Sequence, residues 1–172
     1  TQVERNAIRE VAESAGAKKV YVEEEPKVAA VGAGLDISAP SASMVIDIGG
    51  GTTDIAILSL GDIVNSKSIR VAGDLFDTEI IKYVKNKYKL LIGERTSEDV
   101  KIKIGTVYPD AKKEKMLIRG RDMITGLPSS ITISSKEVEE ALHESIHKIV
   151  LATKSVLEET MPELSADIVE KG

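Results

Sequence analysis

The 172-residue sequence has no cysteine and no tryptophan, and aromatic residues make up only 3% of it. Without cysteine there is neither a disulfide framework nor a thiolate metal site, a composition suited to a reducing cytosol. So few aromatics leave no stacking platform for single-stranded nucleic acid, and no nucleic-acid partner is expected. No apolar run reaches the roughly 18–20 residues that a membrane helix needs. The opening Thr1-Gln2-Val3-Glu4-Arg5 lacks the basic, apolar and small-residue regions of a signal peptide. What is present fits an ordinary globular chain: 42% hydrophobic, 30% charged, formal net charge −5. The length suits one domain, or one domain carrying a smaller inserted one.

The net charge conceals an asymmetry. Lys82 to Arg121 holds 12 Lys and Arg against 5 Asp and Glu, and the remainder holds 11 against 23. A basic block in an acidic chain suits an anion such as phosphate, nucleic acid, a lipid headgroup or another subunit, or is simply a lysine-rich solvated lobe.

The apolar pattern predicts α/β order up to about Gly73. Val3 to Ala15 has helical spacing and can stop at Gly16. Val20 to Glu25 reads as a strand, and Pro26 as the start of a helix over Lys27 to Gly34. Met44 to Ile48 is a nearly continuous apolar run, the signature of a strand covered on both faces. Thr53 to Leu60 and Ile63 to Val71 follow as strands joined at Gly61-Asp62. The pattern then becomes mostly helical. Phe76, Ile80, Ile81, Val84 and Tyr88 share one face of a helix, with Asp74 or Asp77 at its start. A second helix over Glu98 to Ile104 is opened by Thr96 or Ser97. Met116–Ile118 and Ile131–Ile133 read as a strand pair. Ser134 and Glu137 have capping-box spacing for a long helix ended by Pro162, with a short helix over Leu164 to Glu170.

The strongest chemical signal is Asp47-Ile48-Gly49-Gly50-Gly51-Thr52-Thr53-Asp54. Three glycines between strands exceed what a tight turn requires. They let backbone N–H groups approach and cradle phosphate oxygens, although a glycine-rich hairpin that merely turns is the simpler alternative. Asp47 beside a polyphosphate needs an intervening cation, for which Mg²⁺ held through water is the natural choice. Thr52 or Thr53 could orient a water or a phosphate oxygen. Glu25 falls at the predicted strand end where α/β sheets bind ligands, and a carboxylate there could activate a water. On spacing alone, Glu23-Glu24-Glu25 reads more simply as a solvated acidic end. The glycines are not a Walker A loop or a Rossmann fingerprint, for no Lys follows them and the turn joins two strands. His143 and His147 have a zinc-compatible spacing, but no third ligand accompanies them, and a solvated pair is the simpler reading.

The Asp47–Asp54 stretch resembles the second phosphate loop of the actin, Hsp70 and sugar-kinase superfamily of ATPases. That match alone also suits an Hsp70-type chaperone or a sugar-kinase-type phosphotransfer lobe. Glu24-Glu25-Pro26 with Ala29–Gly34, Ser68–Asp74, Ile92–Thr96, Thr125–Pro128 and Pro162–Ile168 narrow the resemblance to the MreB family of bacterial actins. It implies an actin-like, ribonuclease H-like α/β lobe with an inserted smaller α+β subdomain. Residues 1–72 plus 147–172 would form subdomain IIA, and residues 73–146 subdomain IIB. A first phosphate loop and an adenosine loop, both present in the family, are not found here, so the chain is expected to be the second lobe, not competent in hydrolysis alone.

Carried over by position, the resemblance assigns water positioning to Glu25 with help from Thr52. This reverses the simpler reading of Glu25. Gly49, Gly50, Gly51, Thr52 and Thr53 would bind phosphate, Asp47 would associate with Mg²⁺, and Gly73, Asp74, Glu98 and Lys101 would lie toward the nucleoside. ATP or ADP with Mg²⁺ is the implied ligand. The implied setting is a homopolymer of paired protofilaments in the cytoplasm, at the inner face of the cell membrane, with cell-shape or elongation proteins as partners. Asp54, Lys27 and Lys103 depart from the residues most common at those positions.

Overall fold

A computed structural model describes residues 2–108 and 113–171; Lys112 of the basic block lies outside them. Six helices and six strands occur among the described residues. In chain order they are α1 (Gln2–Ser14), α2 (Glu25–Gly32), β1 (Ser43–Ile48), β2 (Thr53–Ser59), β3 (Asp62–Ile69), α3 (Gly73–Tyr88), β4 (Leu90–Leu91), α4 (Glu94–Ile104), β5 (Lys115–Asp122), β6 (Pro128–Ser134), α5 (Ser135–Glu158) and α6 (Pro162–Lys171). Two three-stranded sheets have the orders β1-β2-β3 and β4-β5-β6. The chain forms two compact units, one of Thr1–Val45, Ala56–Asn65 and Thr160–Gly172, the other of Ile46–Ile55 and Ser66–Glu159.

In the first unit, the loop after α2 runs beside the β2–β3 hairpin. Leu60 N–H donates to the Ala39 carbonyl (3.0 Å), Gly61 N–H to that of Ile37 (2.6 Å), and the Ser59 hydroxyl to that of Pro40 (3.0 Å). Asp167 of α6 accepts from Ala42 N–H at 2.9 Å. Lys27 of α2 pairs with Asp62 at 2.8 Å, and that carboxylate raises the lysine pKa while its own falls. The hairpin turn is Leu60-Gly61, one residue earlier than predicted, with φ of 55° and 80°. Positive φ at both positions matches the twist of the flanking strands. The apolar face of α1 is exposed at Val3, Ile8 and Val11.

The second unit has a continuous apolar core that includes Ile80 and Val84 of α3, Val100 of α4, Ile118 of β5, Ile133 of β6 and Val138 of α5. Each such side chain contributes about 1.5–3 kcal/mol on burial. β5 and β6 pair antiparallel with Met116 opposite Ile133 and Ile118 opposite Ile131, so all four share the inward face. The predicted capping box is present at the start of α5.

Several expectations need correction. Val20 to Glu25 is not a strand. The backbone at Glu24 is extended, but a strand needs a ladder partner, and no strand pairs with this segment among the described residues. Glu25 therefore opens helix α2 instead of closing a strand, and α2 ends at Gly32. β1 is not covered on both faces: Ile46 is 43% and Ile48 48% exposed. It lies at the edge of its sheet, and central β2 is the covered strand. α4 begins four residues before the predicted Glu98, with Gly93 as its N-cap. Ser97 is buried within it and donates to the Asp77 carbonyl at 2.7 Å. Pro162 does not stop α5, which ends at Glu158; it occupies the first turn of α6, where its missing N–H costs nothing.

Candidate functional site

The bend between β1 and β2 is closed by Gly49 N–H donating to the Thr52 carbonyl at 2.9 Å. Its outer carbonyls face the start of α3: Gly73 N–H donates to Gly49 O at 3.1 Å and Asp74 N–H to Gly50 O at 2.9 Å. Two amides that a helix start ordinarily leaves without an intrahelical partner are thus satisfied by the bend. The N–H groups of Gly50 and Gly51 have no partner among the described residues. The exposed surface of the bend therefore offers donors, the polarity an anion requires.

None of these three glycines has a positive φ, and none is forced by crowding, since a Cβ would make no more than ordinary contact at any of them. A Cβ on Gly50 would lie 3.5 Å from the Asp74 carboxylate, and one on Gly49 would lie 3.4 Å from the Thr52 carbonyl. At Gly51 a Cβ would meet nothing within 4 Å, leaving open approach to its backbone. Gly73 is tight, its Cβ position being 3.3 Å from Gly49 O and 3.6 Å from the Lys101 ammonium.

The two threonines differ. Thr53 is fully buried and its hydroxyl donates to the Val71 carbonyl at 2.6 Å, joining β2 to the approach of α3. Thr52 is exposed, so its hydroxyl is the one at the bend accessible to a ligand. Asp47 is half-buried near the end of β1, and Asp74 is exposed in the first turn of α3. Glu98 is exposed on α4. Lys101, one turn further along, donates to Asp77 Oδ2 at 2.6 Å and to the Gly73 carbonyl at 3.2 Å.

Asp47, the glycines, both threonines, Gly73, Asp74, Glu98 and Lys101 thus all belong to the second unit, and Glu25 to the first. Of the three consecutive glutamates, Glu24 pairs with Arg5 at 3.1 Å and Glu23 approaches Lys27 at 3.7 Å. Exposed Glu25 has no such partner among the described residues.

Sequence reasoning missed the pairing role of Asp77, treating it as interchangeable with Asp74 at a helix start. Asp74, Asp77, Thr78, Ile81 and Glu94 line a cavity of about 440 Å³. His143 and His147 are exposed. Among the described residues no three His, Asp or Glu side chains cluster as a ready metal site.

The family described as MreB/Mbl protein matches residues 1–172. The cell shape-determining protein Mbl of Bacillus subtilis is 65% identical over the whole chain, which covers 52% of that relative. MreB 5 of Spiroplasma citri, solved with AMPPNP and with ADP, is 47% identical, with TM-scores of 0.95 and 0.96 over all of this chain and 52% of that one. MamK from a double helical filament, at 19% identity and TM-score 0.78 over 99% of this chain and 50% of that one, shares the fold. The chain spans about half the length of the curated relatives it matches. It belongs to the MreB/Mbl family of actin-like, cell shape-determining proteins.

Proposed function

We propose that the intact protein binds and hydrolyses ATP, and that it polymerises into paired protofilaments at the inner face of the cell membrane to control cell shape. The observation that carries the nucleotide reading is the glycine bend. Its outer carbonyls are engaged by α3, while the Gly50 and Gly51 amides and the Thr52 hydroxyl remain for an acceptor-rich ligand. The nucleotides bound by the Spiroplasma relative support the same ligand class. The polymer, its cytoplasmic setting and its membrane and elongation partners rest on family membership.

In this reading the Gly49–Gly51 backbone and Thr52 bind the terminal phosphates, with Thr53 holding its strand in place. Gly73, Asp74, Glu98 and Lys101 lie on the nucleoside side. Asp47 would hold Mg²⁺ through water, in keeping with an ion that gives up its own waters reluctantly. The metal supplies charge neutralisation and polarisation of the phosphoryl oxygens when bound. Glu25 orients the attacking water, Thr52 assists, and the bend amides stabilise the charge that develops as the oxygen–phosphorus bond to ADP breaks. Residues 1–72 plus 147–172 act as subdomain IIA and residues 73–146 as IIB.

The test is Glu25→Ala in the intact protein. ATP affinity is expected to stay within about twofold, while phosphate release falls about 10²-fold or more, the range for loss of a positioned acid–base group. Undiminished hydrolysis would refute the assignment of Glu25.

A further inference from the structure

Asp77 is unusual among the polar groups of the second unit. Its side chain is 16% exposed, its Oδ2 accepts from Lys101 at 2.6 Å, and its backbone carbonyl accepts from Ser97 at 2.7 Å. Its Oδ1 is buried with no hydrogen-bond partner among the described residues. A carboxylate kept only to join two helices would ordinarily have both oxygens satisfied, because a buried acceptor left open destabilises the fold. A more economical joint between α3 and α4 already exists in the Ser97 contact.

The partner explains the arrangement. An ammonium has three N–H donors. Lys101 directs one to Asp77 and one to the Gly73 carbonyl, and the third has no acceptor among the described residues. Gly73 is the residue whose own N–H donates to Gly49 of the bend. A chain of contacts therefore runs from Asp77 through Lys101 and Gly73 to the glycine bend. A lysine side chain otherwise samples many rotamers, and freezing it before a ligand arrives lowers the entropy lost on binding.

We infer that Asp77 is a positioning residue for nucleotide binding: it holds the Lys101 ammonium against Gly73, so that one lysine N–H stays available to the ligand beside the glycine bend. The inference rests on the ATP-site reading above. It assigns Asp77 no contact with the nucleotide; the residue acts through Lys101.

The experiment is a double-mutant cycle in the intact protein, with ATP affinity measured by calorimetry and melting followed in parallel. Asp77→Asn keeps the shape and removes the charge. It is expected to weaken ATP binding about tenfold, the usual scale for losing a charge-assisted hydrogen bond. Lys101→Met should weaken it at least as much, and the double variant should bind no more weakly than Lys101→Met alone. Ser97→Ala removes the purely structural contact; it should lower the melting temperature and leave ATP affinity within about twofold. Additive losses from Asp77→Asn and Lys101→Met, or an Asp77→Asn protein with wild-type affinity, would overturn the inference. If Asp77→Asn melts below the assay temperature, Asp77→Glu serves instead, and its effect must vanish in the Lys101→Met background. Failure of the wild-type protein to bind ATP would sink the site reading and this inference together. Wild-type binding with an indifferent Asp77 would sink this inference alone.

Discussion

Replacing Glu137 with Gln tests the best-connected polar group in the second unit. Ser134 donates its N–H (2.8 Å) and its hydroxyl (2.7 Å) to Glu137 Oε2, while Lys87 (2.9 Å) and the Tyr88 hydroxyl reach Oε1. Burial opposes ionisation of this carboxyl, but the donors from Lys87, Tyr88 and Ser134 outweigh it and lower the pKa from 4.5 to about 2. A fully shielded group with that difference would contribute about 3 kcal/mol. Lys87 is 46% exposed, however, against 14% for Glu137, and solvent screening brings the figure to about 1–2 kcal/mol. Glu137→Gln should therefore lower the melting temperature at pH 7 by about 3–6 °C for a chain of this size. The sign of the pH dependence follows from the depressed folded-state value. The stabilisation is complete above pH 4.5 and is lost as the pH falls toward about 2. Urea titrations of both proteins between pH 7 and pH 3 should show midpoints that converge with acidification. A gap constant across that range, or none at pH 7, would refute the electrostatic account.

Two glycine substitutions separate folding from binding. At Gly120 in β5, a Cβ would lie 2.2 Å from the Leu91 carbonyl oxygen. Gly120→Ala should therefore lose about 2–3 kcal/mol, read as a lower urea midpoint at unchanged slope; an unshifted midpoint would show that β4 yields without cost. At Gly51 a Cβ meets nothing. Gly51→Ala should keep the melting behaviour within about 0.5 kcal/mol while ATP affinity drops about tenfold, a loss of about 1.4 kcal/mol. Unaltered affinity would remove Gly51 from the phosphate cradle.

What could be read from the sequence was local. α3 and α5 follow from apolar spacing over several turns, and the Ser134–Glu137 box marks a helix start because both partners lie within one turn. The glycine run announces a bend because three residues without Cβ are adjacent. Contacts between distant segments left no such trace. Asp77 and Lys101 are 24 positions apart, and nothing in their spacing pairs them. Gly120 looks like an ordinary interruption of β5 until the Leu91 backbone is seen against it. Val20 to Glu25 shows the opposite failure: Val20, Tyr21 and Val22 satisfy strand propensity, but a ladder is a property of two segments, and only one is legible there. The covering of β1 was misjudged for the same reason, since an apolar run records what a strand can bury and not its place in the sheet.

Helix α3 is held at both ends. Its first two amides are bound by the carbonyls of Gly49 and Gly50, and Lys87 in its last turn is clamped by Glu137. Helix termini usually fray; this one is a strut pinned at each tip, 16 residues and about 24 Å apart. A displacement of the bend therefore has little slack to dissipate into and must travel along the rod. Loosening the Glu137 tip by mutation would soften the far end as well, making hydrogen exchange at Gly73 and Asp74 a gauge of events at Lys87.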